Sequence, residues 1–373
     1  MKKNFFFLAI NIFLITLLSE ISLQFLYRFN SGDYLINRAS LPIFKTSDSC
    51  CWQLKKNLNL SHKTNEFNYN IYTNNDSFRV ANKDELNTKI SKNYEGKTLM
   101  MLGPSFGFGW GNKYEKTYNY KISQFYKNKG YKKFINASVP GHLPSFQLCW
   151  FLKEGYKYKP DVIIQTLTSK LDLYISENDD GSLCENICSR EFVDSNGYLT
   201  SKANYTLSYF KKKFKNSSLI FYSWLAISKT RSLFVKDKQI INNAVGLNFH
   251  KKNEFNQDNL DKMYENYVNL IREKSKGTKI IFLYIPDSYD VHISDRARWS
   301  HQNIDFENST KVYKENIELI KKNYNMIDTL PELKRKSKFN RLYYYVDTHF
   351  NNMGNKITFE IFEKYCKINN CLN

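Results

Sequence analysis

The chain has 373 residues, of which 42% are hydrophobic and 16% aromatic, and a formal net charge of +19 at pH 7. This length allows one large domain or two small ones, and the apolar content excludes a disordered protein. The charge would suit an anionic partner. However, lysine is spread along the whole chain, and the sequence has no zinc finger, aromatic RNA-binding motif or concentrated basic helix. Nucleic acid is therefore not expected as a partner.

The amino terminus carries an apolar segment. Lys2 and Lys3 precede an apolar run, Phe5–Leu18, which continues less purely to Tyr27. The pure run has the length of a signal-peptide core, whereas the full stretch is long enough to span a bilayer. Because no small-x-small cleavage site follows, we predict an uncleaved single-pass membrane anchor over residues 1–29, with the later residues outside the cytoplasm. A buried first helix is the alternative.

Residues 30–95 are polar, rich in asparagine and without sustained periodicity, which predicts an irregular N-terminal arm. Over residues 96–372, short apolar runs alternate with helical patterns, which predicts an α/β domain with a doubly wound, flavodoxin-like parallel sheet of about five strands. The runs typical of buried strands are Thr98–Leu102, Phe134–Ala137, Val162–Thr166, Lys279–Ile285 and Asn325–Ile327; the helical patterns cover about 115–129, 145–157, 311–323 and 353–367,. The ligand site of such a sheet lies beyond the carboxyl ends of its strands.

A helical insertion at about 173–258 interrupts this alternation and contains a basic, aromatic segment at 209–234. One interpretation is a helix on the membrane surface, with its aromatic side chains inserted and its lysines near lipid phosphates. The other is a partial lid that packs on the domain.

Seven cysteines suit a location outside the cytoplasm,. Cys184 and Cys188 are four residues apart, and Cys366 and Cys371 are five apart. The sequence is compatible with a disulfide within each pair and equally with free thiols. Cys149 lies in an apolar helical run and is expected in the core. The spacing of a zinc site is not found and no histidine is close to a cysteine, so we expect no metal and no cofactor.

A serine follows the first predicted strand in a glycine-rich turn, Gly103–Gly111, which reads GPSFGFGWG. Such a turn presents the Ser105 hydroxyl at the carboxyl end of the strand, and glycines such as Gly103 let the backbone bend sharply and approach a ligand. The spacing also satisfies the Gly-x-Ser-x-Gly pattern of α/β-hydrolases. That fold, however, needs several strands before its serine, and residues 30–95 do not supply them.

A histidine lies in a turn before the last predicted helix, in the sequence Asp347-Thr348-His349. A histidine there can reach the serine across the sheet as general base, while a nearby carboxylate holds its tautomer. The alternative is a helix-capping aspartate beside a surface histidine. Ser105 and His349 together favour ester chemistry more strongly than either does alone.

Over about residues 75–370, apart from the insertion, the chain resembles the SGNH (GDSL-type) hydrolase superfamily of esterases. Residues 102–111 resemble its GDSF-x-x-GxG block, 136–141 (NASVPG) the block whose glycine amide helps to form the oxyanion hole, 160–164 the strand before the third block, and 347–354 the last block. Asn74 with Phe78 and Arg79 resembles the N-x-x-G-F-R element of the N-terminally anchored bacterial branch.

This resemblance implies a role for each matching residue. Ser105 would be the nucleophile, His349 the general base and Asp347 the residue that orients it. The amides of Ser105 and Gly141 would stabilise the tetrahedral oxyanion, where the loss of one donor costs on the order of a hundredfold in rate.

Three departures from the family pattern bear on activity. Pro104 replaces the aspartate of the first block, which removes a backbone donor but leaves the Ser105 amide in place,. Ser169 or Lys170 occupies the position of the asparagine donor that follows the third strand. The Asp-x-His spacing is one residue shorter than the commoner Asp-x-x-His.

The sequence therefore predicts a membrane-anchored serine esterase or O-acyltransferase. It would act on a small ester or an acylated cell-envelope polysaccharide through an acyl-Ser105 intermediate. One alternative is a catalytically impaired, glycan-binding envelope protein of the same fold, suggested by Pro104 and Lys170. Another is a lipid esterase that works at the membrane surface through the 209–234 segment.

Overall fold

The structure, a computed structural model, describes residues 2–31, 41–93, 95–168, 184, 193, 197–198, 217–223, 226–227, 257–302, 306–369 and 371. Ser169, Lys170 and most of the predicted insertion lie outside the described residues, including most of the 209–234 segment. Neither interpretation of that segment is therefore decided.

A 30-residue helix, α1 (Lys2–Ser31), begins the described chain. Its stretch Phe6–Phe29 has a mean hydropathy of 2.1, and most of its large apolar side chains are exposed, whereas Gln24 is buried. Length and composition allow this helix to cross a membrane, and a signal sequence would meet the same criteria,. The alternative of a buried first helix is wrong, because the apolar side chains of α1 are exposed.

The predicted irregular arm instead contains two small antiparallel sheets. Strand β1 (Phe44–Ser47) pairs with β2 (Cys51–Leu54), and β4 (Asn68–Thr73) pairs with both β3 (Asn59–Lys63) and β5 (Arg79–Val80). The prediction was wrong because these strands are short and β4 buries mainly alternate residues, leaving asparagines on the exposed positions,. We call residues 41–93 the N-terminal β region.

A five-stranded parallel sheet follows. Its strands are β6 (Thr98–Leu102), β7 (Lys133–Asn136), β8 (Val162–Thr168), β9 (Lys279–Ile285) and β10 (Met326–Asp328), in the order β10-β9-β8-β6-β7. All four neighbouring pairs are parallel. In chain order this is the 2-1-3-4-5 arrangement of doubly wound, flavodoxin-like sheets. The predicted fold class is confirmed.

The sheet forms because its strands are apolar on both faces. Every residue of β6 is buried, as are six of the seven residues of β8 and of β9. Strands that are buried on both sides appear in the sequence as continuous apolar runs rather than as alternation. The bounds of β6 and β9 agree with the prediction, and those of β7, β8 and β10 differ from it by one or two residues.

Helices cover the sheet. They are α2 (Ser105–Phe108), α3 (Tyr118–Lys127), α4 (Pro144–Lys153), α5 (Gln257–Lys274), α6 (Ser288–Val291), α7 (Phe306–Asn323), α8 (Leu330–Ser337) and α9 (Asn352–Asn369). The predicted helical patterns correspond to α3, α4, α7 and α9. Helix α5 was not predicted, although its buried residues have clear helical spacing: Leu260, Met263, Tyr264, Tyr267, Val268 and Ile271,.

Disulfides tie two helices to other parts of the chain. Cys366 in α9 pairs with Cys371, as one of the two predicted possibilities had it. Cys184 pairs with Cys149 of α4 and not with Cys188, so Cys149 is buried but is no free core thiol. Cys51 is also in a disulfide. Bonds of this kind persist in oxidising compartments.

Candidate active site

The nucleophile turn lies at the carboxyl end of β6. Two of its glycines are required because a side chain at either position would clash with neighbouring residues. A Cβ on Gly103 would lie 2.8 Å from the Thr166 Cβ of β8, and a Cβ on Gly107 would lie 2.6 Å from Ser138 Oγ. The backbone must therefore pass close to β8 and to the loop after β7. Ser105, the first residue of α2, is left half-buried at the edge of the sheet.

Three predicted residues form one hydrogen-bonded chain. His349 Nε2 lies 2.6 Å from Ser105 Oγ, and His349 Nδ1 lies 2.7 Å from Asp347 Oδ1. The imidazole thus has an alcohol on one nitrogen and a carboxylate on the other, which is the geometry of a Ser-His-Asp triad. The side chains of His349 and Asp347 are 21% and 22% exposed, so the site is open to substrate.

Thr348 explains how an Asp-x-His spacing achieves this geometry. Its φ is +67°, in the left-handed region that a β-branched residue rarely adopts,. This reversal turns the Asp347 side chain back onto its neighbour, where Asp347 Oδ1 also accepts a hydrogen bond from the His349 backbone N–H at 3.3 Å. The strained backbone of Thr348 therefore lets the shorter Asp-x-His spacing reach the triad geometry.

Asp347 is held as an anion. Its second oxygen accepts a hydrogen bond from Trp110 Nε1 at 3.1 Å. Burial alone would raise the pKa of Asp347, but the charge and hydrogen bonds of His349 and the bond from Trp110 lower this pKa below its usual value,. A carboxylate that stays ionised can stabilise the imidazolium formed during proton transfer.

Aromatic rings enclose the imidazole. The ring centroids of Phe106 and Trp110 lie 4.8 and 6.0 Å from that of His349. Both aromatic residues come from the glycine-rich segment that carries the nucleophile. The same turn therefore supplies the alcohol and part of the wall that fixes its base.

The two predicted oxyanion donors lie in neighbouring turns. The Ser105 N–H is at the amino terminus of α2, where no intrahelical acceptor exists,. Gly141 follows β7, with φ +83° and an exposed backbone. A hydrogen bond from Val139 N to Gly103 O, 2.9 Å long, joins these turns side by side. The role of both amides in catalysis stays a prediction.

Asn136 at the end of β7 also braces the nucleophile turn. Its Nδ2 donates to Gly107 O at 3.1 Å, and its Oδ1 accepts from Ser138 N at 3.1 Å. The sequence placed this residue in a family block but gave it no role. The possible third donors, Ser169 and Lys170, lie just beyond the described end of β8, so their predicted role remains open.

The N-terminal β region supplies three contacts that the sequence did not indicate. Buried Arg79 donates to the carbonyls of Phe108, Gly109 (2.8 Å) and Asn112 (2.6 Å) in the loop after the nucleophile. Trp52 Nε1 donates to Pro140 O, next to Gly141, at 3.2 Å.

The third contact is made by the Glu66 carboxylate. It accepts hydrogen bonds from three consecutive N–H groups, those of Tyr345, Val346 and Asp347. Side chains from one region thus hold all three turns of the site. The element that ends in Phe78-Arg79 was the only signal in the sequence that pointed to this region.

Among the described residues, no group of three or more histidine, cysteine, aspartate or glutamate side chains could hold a metal ion.

No protein-family model matches the chain, and no curated protein matches it. Solved structures with some likeness include that of TesA, with 11% identity, a TM-score of 0.35, and coverage of 73% of this chain and 99% of TesA. A catalytic mutant of the acetylxylan esterase Axe2 from Geobacillus stearothermophilus has 13% identity and a TM-score of 0.36, over 74% of this chain and 96% of Axe2. A two-domain esterase active on acetylated mannans has 12% identity and a TM-score of 0.39, over 74% of this chain and 50% of that esterase.

The sheet and the triad define the class of the fold. It is a doubly wound α/β fold whose serine follows the first strand of the sheet and whose histidine precedes the last helix. The positions of the serine and the histidine agree with the resemblance to SGNH hydrolases seen in the sequence, whereas the Asp-x-His spacing departs from the commoner pattern. The fold class that the resemblance implies is therefore observed, and the assignment to the superfamily stays a prediction.

Proposed function

We propose that this protein is a membrane-anchored serine esterase or O-acyltransferase that acts on acyl esters, with acetylated cell-envelope carbohydrate as the substrate class. The observation that supports it most directly is the 2.6 Å contact between His349 Nε2 and Ser105 Oγ at an open edge of the sheet. An alcohol in hydrogen-bond contact with an imidazole that is itself oriented by a carboxylate is an activated nucleophile.

The chemistry follows from this arrangement. Ser105 Oγ attacks the carbonyl carbon of the ester while its proton moves to His349 Nε2. The carbonyl oxygen becomes an oxyanion facing the amides of Ser105 and Gly141. When the tetrahedral intermediate collapses, the C–O bond to the sugar breaks and the sugar oxygen takes the proton from His349. Water or a second sugar hydroxyl then attacks the acyl carbon and gives its proton to His349. The bond from that carbon to Ser105 Oγ breaks, and Ser105 Oγ takes the proton back from His349.

Turnover of acetyl esters tests this proposal. Ser105→Ala and His349→Ala should each lower kcat by about a thousandfold or more, because a triad acts as one unit. Ser123→Ala, which changes a serine of α3 outside the site, should leave kcat unchanged. Suitable substrates are an aryl acetate, acetylated mannan and acetylated xylan. Equal turnover by wild type and Ser105→Ala would contradict the proposal.

The anchor is proposed on a separate observation. Glu20 of α1 accepts hydrogen bonds from Ser217 Oγ (2.8 Å), Ser218 N (2.8 Å) and Leu219 N (2.9 Å). A helix that is removed on export has no reason to make specific contacts with the later chain, so these bonds favour an uncleaved anchor. The disulfides favour an extracytoplasmic location for the domain.

Mass spectrometry of the protein purified from membranes tests the anchor. The peptide that contains Glu20 should be present in the mature chain. A mature amino terminus between about residues 20 and 35, in the region where a signal peptide of this length would be cleaved, would contradict it.

A further inference from the structure

Glu66 lies outside every sequence block that resembles the family, yet it contacts the turn that carries Asp347. It belongs to the tight connection 64–67 between β3 and β4. Thr64 fixes this connection, because its Oγ1 accepts hydrogen bonds from the backbone N–H groups of Glu66 and Phe67 at 3.2 and 3.3 Å. Glu66 is thus held on a rigid hairpin and is half-buried.

Both oxygens of the Glu66 carboxylate are used. Oε1 accepts from Tyr345 N at 2.5 Å and from Val346 N at 3.0 Å, and Oε2 accepts from Asp347 N at 2.8 Å. Consecutive N–H groups that converge on one anion form a nest, a concave site for negative charge. The anion in this nest is a side chain of the protein itself.

The nest immediately precedes the strained residue of the site. Thr348 must hold φ +67° for Asp347 to reach His349. A left-handed threonine persists only where its surroundings determine it strongly. Three charge-assisted bonds on the residues just before it provide that constraint.

On this basis, and resting on the proposed function, we infer that Glu66 is a positioning residue for catalysis: it fixes the acid turn so that Asp347 orients His349. In this role it acts through Asp347. Its counterpart is Arg79, which binds the carbonyl oxygens of the nucleophile loop. The same three-stranded sheet therefore holds one half of the triad with an anion and the other half with a cation.

The experiment is a double-mutant cycle on the full-length chain. Glu66→Ala should lower kcat for an aryl acetate by about ten- to hundredfold, the loss expected for a displacement of about 1 Å in a catalytic group, while KM stays within about twofold. Glu66→Gln should fall between wild type and Glu66→Ala, because its carbonyl oxygen can still accept two of the three bonds. Lys63→Ala, an exposed position of the same hairpin, should retain wild-type kcat.

In the Asp347→Ala background, Glu66→Ala should cause no further loss, because its effect passes through the missing carboxylate. Additive losses, or an unchanged kcat in the single variant, would overturn the inference.

A second measurement needs no turnover. The proton that His349 Nδ1 shares with Asp347 should give a downfield NMR resonance in wild type that is weakened or lost in Glu66→Ala and kept in Lys63→Ala. An unchanged resonance in Glu66→Ala would overturn the inference. If wild type shows this resonance but hydrolyses no ester, the proposed function fails while the role of Glu66 in holding the turn is still decided.

Discussion

At the scale of single residues, Thr348 connects sequence to chemistry. A carboxylate two residues before a histidine reaches Nδ1 only if the chain reverses between them, and the left-handed backbone of Thr348 makes this reversal. An L residue in this region costs roughly 1–2 kcal/mol. This strain occurs at the site where a displaced Asp347 carboxylate would no longer orient His349.

Two substitutions separate the backbone of Thr348 from its side chain. Thr348→Gly should keep kcat within about threefold of wild type and change stability by no more than about 1 kcal/mol, because glycine adopts positive φ freely. Thr348→Pro fixes φ near −65° and should reduce kcat to the level of Asp347→Ala. Steady-state kinetics and thermal unfolding measure both effects. Full activity in Thr348→Pro would show that the reversal is not needed.

Trp110 is the second residue that acts on Asp347. The substitution Trp110→Phe keeps an aromatic ring beside His349 but removes the hydrogen bond to Asp347 Oδ2. A hydrogen bond to a charged group contributes about 1.5–3 kcal/mol, so kcat should fall by roughly tenfold or more. Trp150→Phe, which changes a buried tryptophan of α4 outside the site, is the comparison for a general loss of packing. An unchanged kcat in Trp110→Phe would show that Asp347 is sufficiently held by the other bonds.

At the scale of elements, the N-terminal β region completes the site. Its apolar side chains pack on Phe108 and Val139, which belong to the nucleophile turn and to the loop that leads to Gly141. Its polar side chains hold each of the three turns. The parallel sheet brings these turns to one edge, and the N-terminal β region then fixes their backbones.

Two buried histidines make this region sensitive to acid. Burial lowers the pKa of His62 in β3 to about 4, and burial lowers that of His142, which contacts the carbonyl of Trp52, to about 3. Unfolding lets both return to a pKa near 6.5. The unfolded chain therefore binds more protons below pH 6.5, and stability falls as the pH decreases from 6.5 towards 4.

For His62 alone the loss over this window is about 3 kcal/mol. His62→Phe should flatten the dependence of the unfolding midpoint on pH between 6.5 and 4, since phenylalanine fits among the rings of Phe67 and Trp110 and does not titrate. Denaturant unfolding at a series of pH values checks this. The same slope in His62→Phe and wild type would mean that folding does not lower the pKa of His62.

The sequence predicts the parallel sheet well because each of its strands is a continuous apolar run. Ser105, His349 and Asp347 could also be identified, because their neighbours form short motifs. The N-terminal β region could not be predicted, since its strands are only two to six residues long and β4 alternates buried with more exposed positions. Its role also depends on contacts more than 200 residues away, such as that of Glu66 with Val346. Helix α5 could have been found from its spacing alone.

At the scale of the whole molecule, disulfides add to the packing, and two of them have both cysteines among the described residues. The Cys149–Cys184 bond spans 35 residues and ties the chain beyond β8 to α4, whereas Cys366–Cys371 spans five. In the chain-entropy account, a longer closed loop restricts the unfolded state more. Both links require an oxidising compartment, in agreement with the proposed location.

Removal of the two disulfides should therefore lower the free energy of unfolding by different amounts. The double variant Cys149→Ala/Cys184→Ala should lose about 4 kcal/mol of unfolding free energy, and Cys366→Ala/Cys371→Ala about 2 kcal/mol. Denaturant titration of the detergent-solubilised, full-length protein measures both. A smaller loss for the 149/184 pair than for the 366/371 pair would contradict the assignment of the longer link.

Covalent labelling of Ser105 tests the central claim most directly. A fluorophosphonate reacts with a serine hydroxyl only when a neighbouring base has activated it, and peptide mapping then locates the modified residue. Wild type should be labelled at Ser105 alone, His349→Ala should be labelled far more slowly, and Ser105→Ala should not be labelled. A wild-type protein that stays unlabelled, or that carries the label on another serine, would contradict the assignment of this site.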